Sequence, residues 1–410
     1  MAHVTVQIRQ LAAEASWAAL AHLFMRGGIV VAFMVFSHGM LVDDFAAANE
    51  FNLSLSYLSS MALAGISPVV VRQFARLKDA SEGREAGATL LLLAFAALAG
   101  VGMGLILAPA GERASLPLIF ALAITVVVLG AFPAAVLNGL RAFRSLALAA
   151  GLGAAFLLVA ASLTNTLVEA VLGITGALGI KAVCEWAIAL RRIKLTGRPV
   201  ALPDLAAFKA VMGSIARVGG SAILTAGALF AMTKLMREGQ SALDFSLFAI
   251  GMQWYAMGAF VAGNVTKSLF PRQVAVAECG IDHHAQRRLL FQGVVLGVTG
   301  ALLVIASAFA ARPLIALAYG EAGAGAIDVI PLFIAVSLVA IPGNMVGNLA
   351  MAYHEEGAWL ISSLFGSATL LMALLILPVA GASLAAVSLV MSLIVQNAAC
   401  LLLLLRKGLL

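Results

Sequence analysis

The sequence predicts an all-α polytopic membrane protein of about twelve transmembrane helices, arranged as two pseudo-symmetric, parallel six-helix bundles. Composition is the first reason: 63% of the 410 residues are hydrophobic and 11% are charged, against about 25% charged in an average soluble domain. A surface this apolar must face lipid. The second reason is a series of long apolar runs, and the third is a set of motifs shared by the two halves.

The apolar runs have the length that a helix needs to cross the hydrocarbon core, about 20 residues. Unbroken runs of this length, with only 7% aromatic residues, favour helices over the alternating strands of a barrel. The first run contains Arg26 and is too long for the apolar region of a signal peptide, so we expect it to stay in the membrane. The predicted spans are 16–37, 51–71, 88–108, 116–137, 145–163, 168–190, 211–235, 245–268, 289–310, 327–352, 358–378 and 382–405.

The basic residues predict the orientation of the chain. Most of them fall in segments on one side of the predicted spans, whereas the first loop on the other side carries Asp43, Asp44 and Glu50. Because Lys and Arg concentrate in cytoplasmic loops, both termini are predicted to be cytoplasmic. The net charge of +6 follows from this topology, and we expect no nucleic-acid partner.

The two halves repeat several motifs in the same order. An Asp-Phe pair comes at or before the start of the second and the eighth span, and an Arg-Gln pair follows at the end of both; a Pro followed by an Asn marks the fourth and the tenth. The matches are Asp44-Phe45 with Asp244-Phe245, Arg72-Gln73 with Arg272-Gln273, and Pro133…Asn138 with Pro342…Asn348. With the long polar break near the midpoint, they predict an N-terminal lobe at 1–190, a cytoplasmic linker at 191–210 and a C-terminal lobe at 211–410.

Two parallel repeats are a transporter architecture, with the substrate path between the halves. Alternating access needs such symmetry, whereas membrane enzymes rarely do. The sequence also contains no hydrolase, metalloprotease or nucleotide-binding motif in a supporting context. We therefore expect a transporter and not an enzyme, with no cofactor and no metal; the His283-His284 pair is typical of a solvated loop.

Arg26 is the most informative single residue, because it lies near the middle of the first span. A central Arg costs roughly 2.5–3.5 kcal/mol on insertion scales. It should therefore face an interior cavity or an internal partner. Two interpretations stay open: an anion site for phosphate, and a structural ion pair with an acid such as Glu50.

The other candidate substrate-binding residues fall on the first, second, seventh and eighth spans, which are repeat-related and should border a central cleft. Cations there would attract a pyrophosphate or an acidic glycan; anchoring at the membrane ends and helix–helix contacts are the alternatives. In addition to Arg26, the candidates are Arg72, Arg217, Lys234, Lys267, Arg272, Asn52, Tyr57, Gln253, Tyr255 and Asn264.

Two acids, Glu50 and Glu185, are candidates for coupling transport to H+ or Na+. Lys181 precedes Glu185 by four residues, so a local ion pair is the alternative interpretation of that acid.

The first two spans resemble the first hairpin of polysaccharide flippases, which belong to the multidrug/oligosaccharidyl-lipid/polysaccharide (MOP) exporter superfamily. The resemblance is carried by Arg26-Gly27-Gly28, the acid-Phe pair Asp44-Phe45, and a second span ending in Arg72-Gln73-Phe74-Ala75-Arg76. The loop 41–46 lacks the glycines of the usual family pattern. Length, helix count and the two-half design extend the resemblance over the whole chain.

The resemblance implies a flippase that moves polyprenyl-diphosphate-linked oligosaccharide, a repeat unit of O-antigen, exopolysaccharide or capsule, across a bacterial inner membrane. Arg26 matches the buried first-helix Arg of lipid-linked precursor flippases in the superfamily, while Lys234 and Lys267 match by position only. The implied partners are the lipid-linked glycan, membrane lipids, a coupling H+ or Na+, and polysaccharide polymerase and export machinery.

Three alternatives remain. A multidrug or metabolite exporter of the same superfamily, similar to MATE transporters, should carry an acidic site for organic cations. A major facilitator transporter should have a glycine motif that segment 75–84 lacks. A membrane glycan polymerase or glycosyltransferase, which is an enzyme, should present a large extracytoplasmic loop, and all predicted outer loops are short.

Overall fold

A computed structural model describes residues 2–63, 65–76, 80–107, 116–195, 201–278, 283–353, 355–377 and 381–409, and these ranges contain helices and no strand. The α-helices are α1 (Ala2–Gly39), α2 (Val42–Leu63), α3 (Ile66–Arg76), α4 (Ala80–Leu107), α5 (Leu116–Gly139), α6 (Phe143–Ser162), α7 (Leu167–Leu195), α8 (Leu205–Gly239), α9 (Ala242–Glu278), α10 (His283–Ala310), α11 (Arg312–Ala318), α12 (Gly323–Ala352), α13 (Glu356–Ile376) and α14 (Gly381–Arg406).

The predicted fold class is confirmed. Within the described ranges, 10 helices are long and apolar enough to cross a membrane: α1, α4 to α8, α10 and α12 to α14. The two remaining predicted spans, 51–71 and 245–268, lie on α2 with α3 and on α9. Many large apolar side chains of these helices are exposed, such as Leu98 and Ile106 on α4. Their exposure is expected where a helix faces lipid instead of water.

The predicted second span is two helices. α2 ends at Leu63 and α3 begins at Ile66. Gly65 stands between them with φ of +77°, and a Cβ there would lie 2.9 Å from the main-chain nitrogen of Gly219 on α8. A positive φ and a close backbone approach both favour glycine, so the break depends on two glycines from distant parts of the sequence.

The chain forms two compact units. The first contains Met1–Met40 and Phe51–Ile223, and the second contains Leu41–Glu50 and Leu224–Leu410. Within the first, α1 packs on α6 and α5 on α7; within the second, α9 packs on α12 and α13 on α14. Helices α2 and α8 each contribute to both units. The lobes predicted at 1–190 and 211–410, with a linker at 191–210, stay a prediction.

The segment just before α8 is fixed to the first turn of α4. The Ala201 N–H donates to the Gly83 carbonyl oxygen over 3.1 Å, and the Arg84 guanidinium lies 2.7 Å from the Asp204 carboxylate. Asp204 also accepts the N–H of Ala207 over 2.7 Å, which caps the start of α8. The Ala207 hydrogen bond first, and then Arg84, lower the pKa of Asp204 below its usual value.

Candidate cation-lined transport site

Arg26 lies within the apolar part of α1 that runs from Leu20 to Gly39. Its neighbours Met25, Gly28 and Ile29 are buried, whereas the Arg26 side chain is exposed. Within the part of the chain that the structure describes, no carboxylate pairs with it. Because a charge facing hydrocarbon is costly, we expect the Arg26 guanidinium to face water or an anionic ligand.

Tyr57 on α2 is near enough to Arg26 to interact with it electrostatically. It is half-buried, and Asn52, five residues earlier on the same helix, is buried. Both belong to the same compact unit as Arg26. The structure thus places Arg26 and Tyr57, two of the predicted substrate-binding residues, within range of an electrostatic interaction.

Glu50, which was considered as a partner for Arg26, is paired with two other cations. Its Oε1 lies 2.6 Å from the Lys234 Nζ, and its Oε2 lies 3.5 Å from the Arg237 Nε. Glu50 is on α2, and both cations are on α8. We call these three residues the Glu50 cluster. All three belong to the second compact unit.

The neighbouring residue on α2, Asn49, is also held in place. Its side-chain oxygen accepts a hydrogen bond from the Gln253 Nε2 over 2.9 Å, and its Nδ2 donates to the Phe45 carbonyl oxygen over 2.9 Å. Gln253 is buried, and its own Oε1 has no hydrogen-bond partner among the described residues. Gln253 therefore contacts α2 through its Nε2, and its role in substrate binding stays a prediction.

The aromatic pair on α9 has a partly structural role. The Trp254 indole N–H donates to the hydroxyl of Tyr319 over 2.9 Å, and Tyr319 is fully buried. Tyr255 is half-buried. The polar edge of Trp254 is thus occupied within the protein.

Glu185 and Lys181 form an ion pair one turn apart on α7, at 2.9 Å. Glu185 is buried, while the Lys181 side chain is 25% exposed. This contact is the local pair that the sequence allowed as an alternative, and ion coupling by Glu185 or by Glu50 stays a prediction.

Five of the predicted substrate-binding residues cannot be placed in a site. They fall on α3, α8 and α9, and their side chains lie outside the described part of the structure: Arg72, Arg217, Asn264, Lys267 and Arg272. Conversely, the sequence did not single out Arg237 as a site residue. Its spacing of three from Lys234, which places both on one helix face, was the signal that linked them.

Comparison with known proteins identifies the fold. No family model and no curated protein matches the sequence. Among solved structures, a multidrug resistance MATE family transporter of the MOP superfamily in an inward-facing conformation matches with a TM-score of 0.71 and 14% identity over 94% of both chains. An outward-facing structure of such a transporter matches with a TM-score of 0.69 and 13% identity, over 96% of this chain and 94% of that one.

A third match is a MOP superfamily transporter from Pyrococcus furiosus Vc1, with a TM-score of 0.67 and 15% identity over 96% of both chains. For that protein, reverse polarity of the binding pocket is described as suggesting a different function. At these identities the likeness shows the fold alone. The chain is a multi-pass membrane protein with the two-bundle fold of MATE and other MOP transporters.

Proposed function

We propose that the protein is a membrane exporter of the MOP fold that translocates a polyprenyl-diphosphate-linked oligosaccharide across a bacterial inner membrane by alternating access. The observation that carries the proposal is Arg26, an exposed arginine within a candidate membrane span that has no carboxylate partner among the described residues. A diphosphate is the group that such a cation binds, through charge-assisted hydrogen bonds. The prenyl tail can stay in lipid during transfer.

The charges on the buried acids argue against export of organic cations. Among the described residues, two carboxylates are buried, Glu50 and Glu185. Each is neutralised by a lysine, Lys234 at 2.6 Å and Lys181 at 2.9 Å. A cationic drug would need an unpaired acid within the membrane, as expected for a multidrug exporter. The reversed pocket polarity described for the P. furiosus transporter provides a precedent within the fold.

Three further features belong to the proposal. Both termini are cytoplasmic, as the distribution of basic residues predicts, transport is coupled to H+ or Na+, and a polysaccharide polymerase takes up the translocated glycan. No enzymatic step is assigned to the chain.

The proposal is tested by offering purified protein two substrates in proteoliposomes. One is a fluorescent short-chain polyprenyl-diphosphate oligosaccharide, whose arrival in the opposite leaflet is followed by quenching. The other is ethidium, followed by its efflux. We expect transfer of the lipid-linked glycan and no ethidium efflux under a pH or sodium gradient. Ethidium efflux without glycan transfer would assign the protein to the multidrug exporters instead.

A further inference from the structure

The Glu50 cluster contains more positive than negative charge. Lys234 and Arg237 lie one turn apart on α8, and both contact the single carboxylate of Glu50. Protein interiors ordinarily pair charges one to one, because an uncompensated buried charge is costly. One cation in this cluster therefore has no full counter-charge within the described part of the chain.

The accessible side of the cluster is its cationic side. The Glu50 side chain is 5% exposed, whereas those of Lys234 and Arg237 are 25% and 29% exposed. Arg237 contacts Glu50 through Nε alone, and no described residue accepts a hydrogen bond from its two terminal nitrogens. These two nitrogens form the planar fork that binds phosphate oxygens in a bidentate manner.

Both cations are held by aromatic rings. The Lys234 Nζ lies 5.8 Å from the centre of the Phe230 ring, and the Arg237 guanidinium carbon lies 5.6 Å from that of Phe245. The hydrogen bond between Asn49 and Gln253 fixes the turn of α2 that carries Glu50. The three charged groups are therefore preorganised, which lowers the cost of adding a ligand.

From this geometry we infer that Lys234 and Arg237 form an anion-binding site, which takes a phosphate or diphosphate group. Glu50 occupies part of the site as an internal anion and competes with the ligand for the two cations. The inference rests on the proposed function for the identity of its anion, because a lipid-linked diphosphate is the substrate proposed there. Binding itself requires no transport.

The inference is tested by calorimetric titration of the full-length protein in detergent. The ligands are inorganic pyrophosphate and, separately, farnesyl diphosphate at the same concentrations. We expect Arg237→Gln to weaken binding roughly tenfold or more, since a charge-assisted hydrogen bond is lost. We expect Glu50→Gln to tighten it by about tenfold, because the competing carboxylate is removed. A purely structural ion cluster would give no gain in affinity for Glu50→Gln.

Arg312 provides a matched control. It also pairs with an acid, Asp328 at 3.3 Å, and lies 4.6 Å from the centre of the Phe309 ring. Arg312→Gln and Asp328→Asn should leave both affinities unchanged. If Glu50→Gln does not fold, Lys234→Met replaces it, with the same loss expected as for Arg237→Gln.

Equal binding of both ligands would show that the free anion suffices, and binding of farnesyl diphosphate alone would assign the site to lipid-linked diphosphates. Affinities that are the same in the wild type and in Arg237→Gln, or weaker in Glu50→Gln, would overturn the inference. A protein that binds as expected here but transfers no lipid-linked glycan would retain this site and fail the proposed function.

Discussion

The indole N–H of Trp186 on α7 donates a hydrogen bond of 3.1 Å to the main-chain carbonyl of Leu129 on α5. Leu129 lies four residues before Pro133, which has no N–H to offer that carbonyl. In hydrocarbon an unpaired carbonyl is especially costly. A side chain from the last helix of the first half therefore replaces the missing backbone donor.

The second half contains a related contact. The Asn397 Nδ2 on α14 donates to the Val339 carbonyl over 2.9 Å, three residues before Pro342 on α12. α14 is the last helix of its half, as α7 is of the first. The prolines were recognised in the sequence as a repeat; the side-chain contacts near them were not.

Replacing Trp186 with Phe should lower the free energy of unfolding by about 1 kcal/mol, because the Leu129 carbonyl loses its donor. Phe keeps the stacking on Phe132, whose ring centre is 5.5 Å away. Pro133→Ala supplies a backbone N–H for that carbonyl. In the Pro133→Ala background, Trp186→Phe should therefore lower the free energy of unfolding by a smaller amount. Thermal unfolding of the four proteins in detergent measures the coupling; additive effects would contradict the account.

Gly343→Ala should destabilise the protein by about 1–3 kcal/mol through overpacking, because a Cβ there would overlap the side-chain amide of Asn397. Asn397→Ala should remove most of this penalty when the two changes are combined. Gly179→Ala on α7 is the matched control, since nothing lies within 4 Å of its Cβ position. The measurement is the unfolding temperature of each variant. An equal change for Gly343→Ala and Gly179→Ala would contradict the close packing of Gly343 against Asn397.

Asp204→Asn should make stability less dependent on pH in acid. The folded-state pKa of Asp204 is lowered, first by the Ala207 N–H and then by Arg84. Its contribution is therefore present above the ordinary Asp value of 3.8 and is lost as pH falls through the lower folded-state pKa. Unfolding temperatures between pH 7 and pH 3 should fall less steeply in the variant; identical slopes would show that the contact contributes nothing.

Lys181→Met should destabilise the protein by roughly 3–5 kcal/mol, the cost of leaving a buried carboxylate without its partner. This loss of stability is an upper limit, because the Lys181 side chain is partly exposed. Adding Glu185→Gln to this variant should restore most of the lost stability. Chemical unfolding of both variants is the measurement, and a double variant no more stable than Lys181→Met would contradict the pairing.

The long helices were predictable from sequence because lipid imposes one simple requirement, about 20 apolar residues in a row. The predicted runs at 116–137, 145–163 and 358–378 lie on α5, α6 and α13 almost end to end. The break between α2 and α3 was missed because it depends on the approach of Gly65 to Gly219, which only the folded chain brings together.

The candidate site was predictable in its residue types but not in its pairings. Arg26 could be found because a cation interrupts an apolar run. Glu50 was considered as its partner, whereas the structure pairs Glu50 with Lys234, 184 residues away. Nothing in a single sequence specifies contacts at such separations, and for this reason the contact of Asn49 with Gln253 was not recognised.

The central claim is that Arg26 binds the diphosphate of a lipid-linked glycan during transport. Its most direct test is the rate of flipping of the fluorescent lipid-linked oligosaccharide in proteoliposomes containing equal amounts of each variant. The control is Arg144→Ala, an exposed arginine on α6 that lies 5.9 Å from the centre of the Trp17 ring. We predict a loss of roughly tenfold or more for Arg26→Ala, partial activity for Arg26→Lys and a wild-type rate for Arg144→Ala. A wild-type rate in Arg26→Ala would contradict the claim.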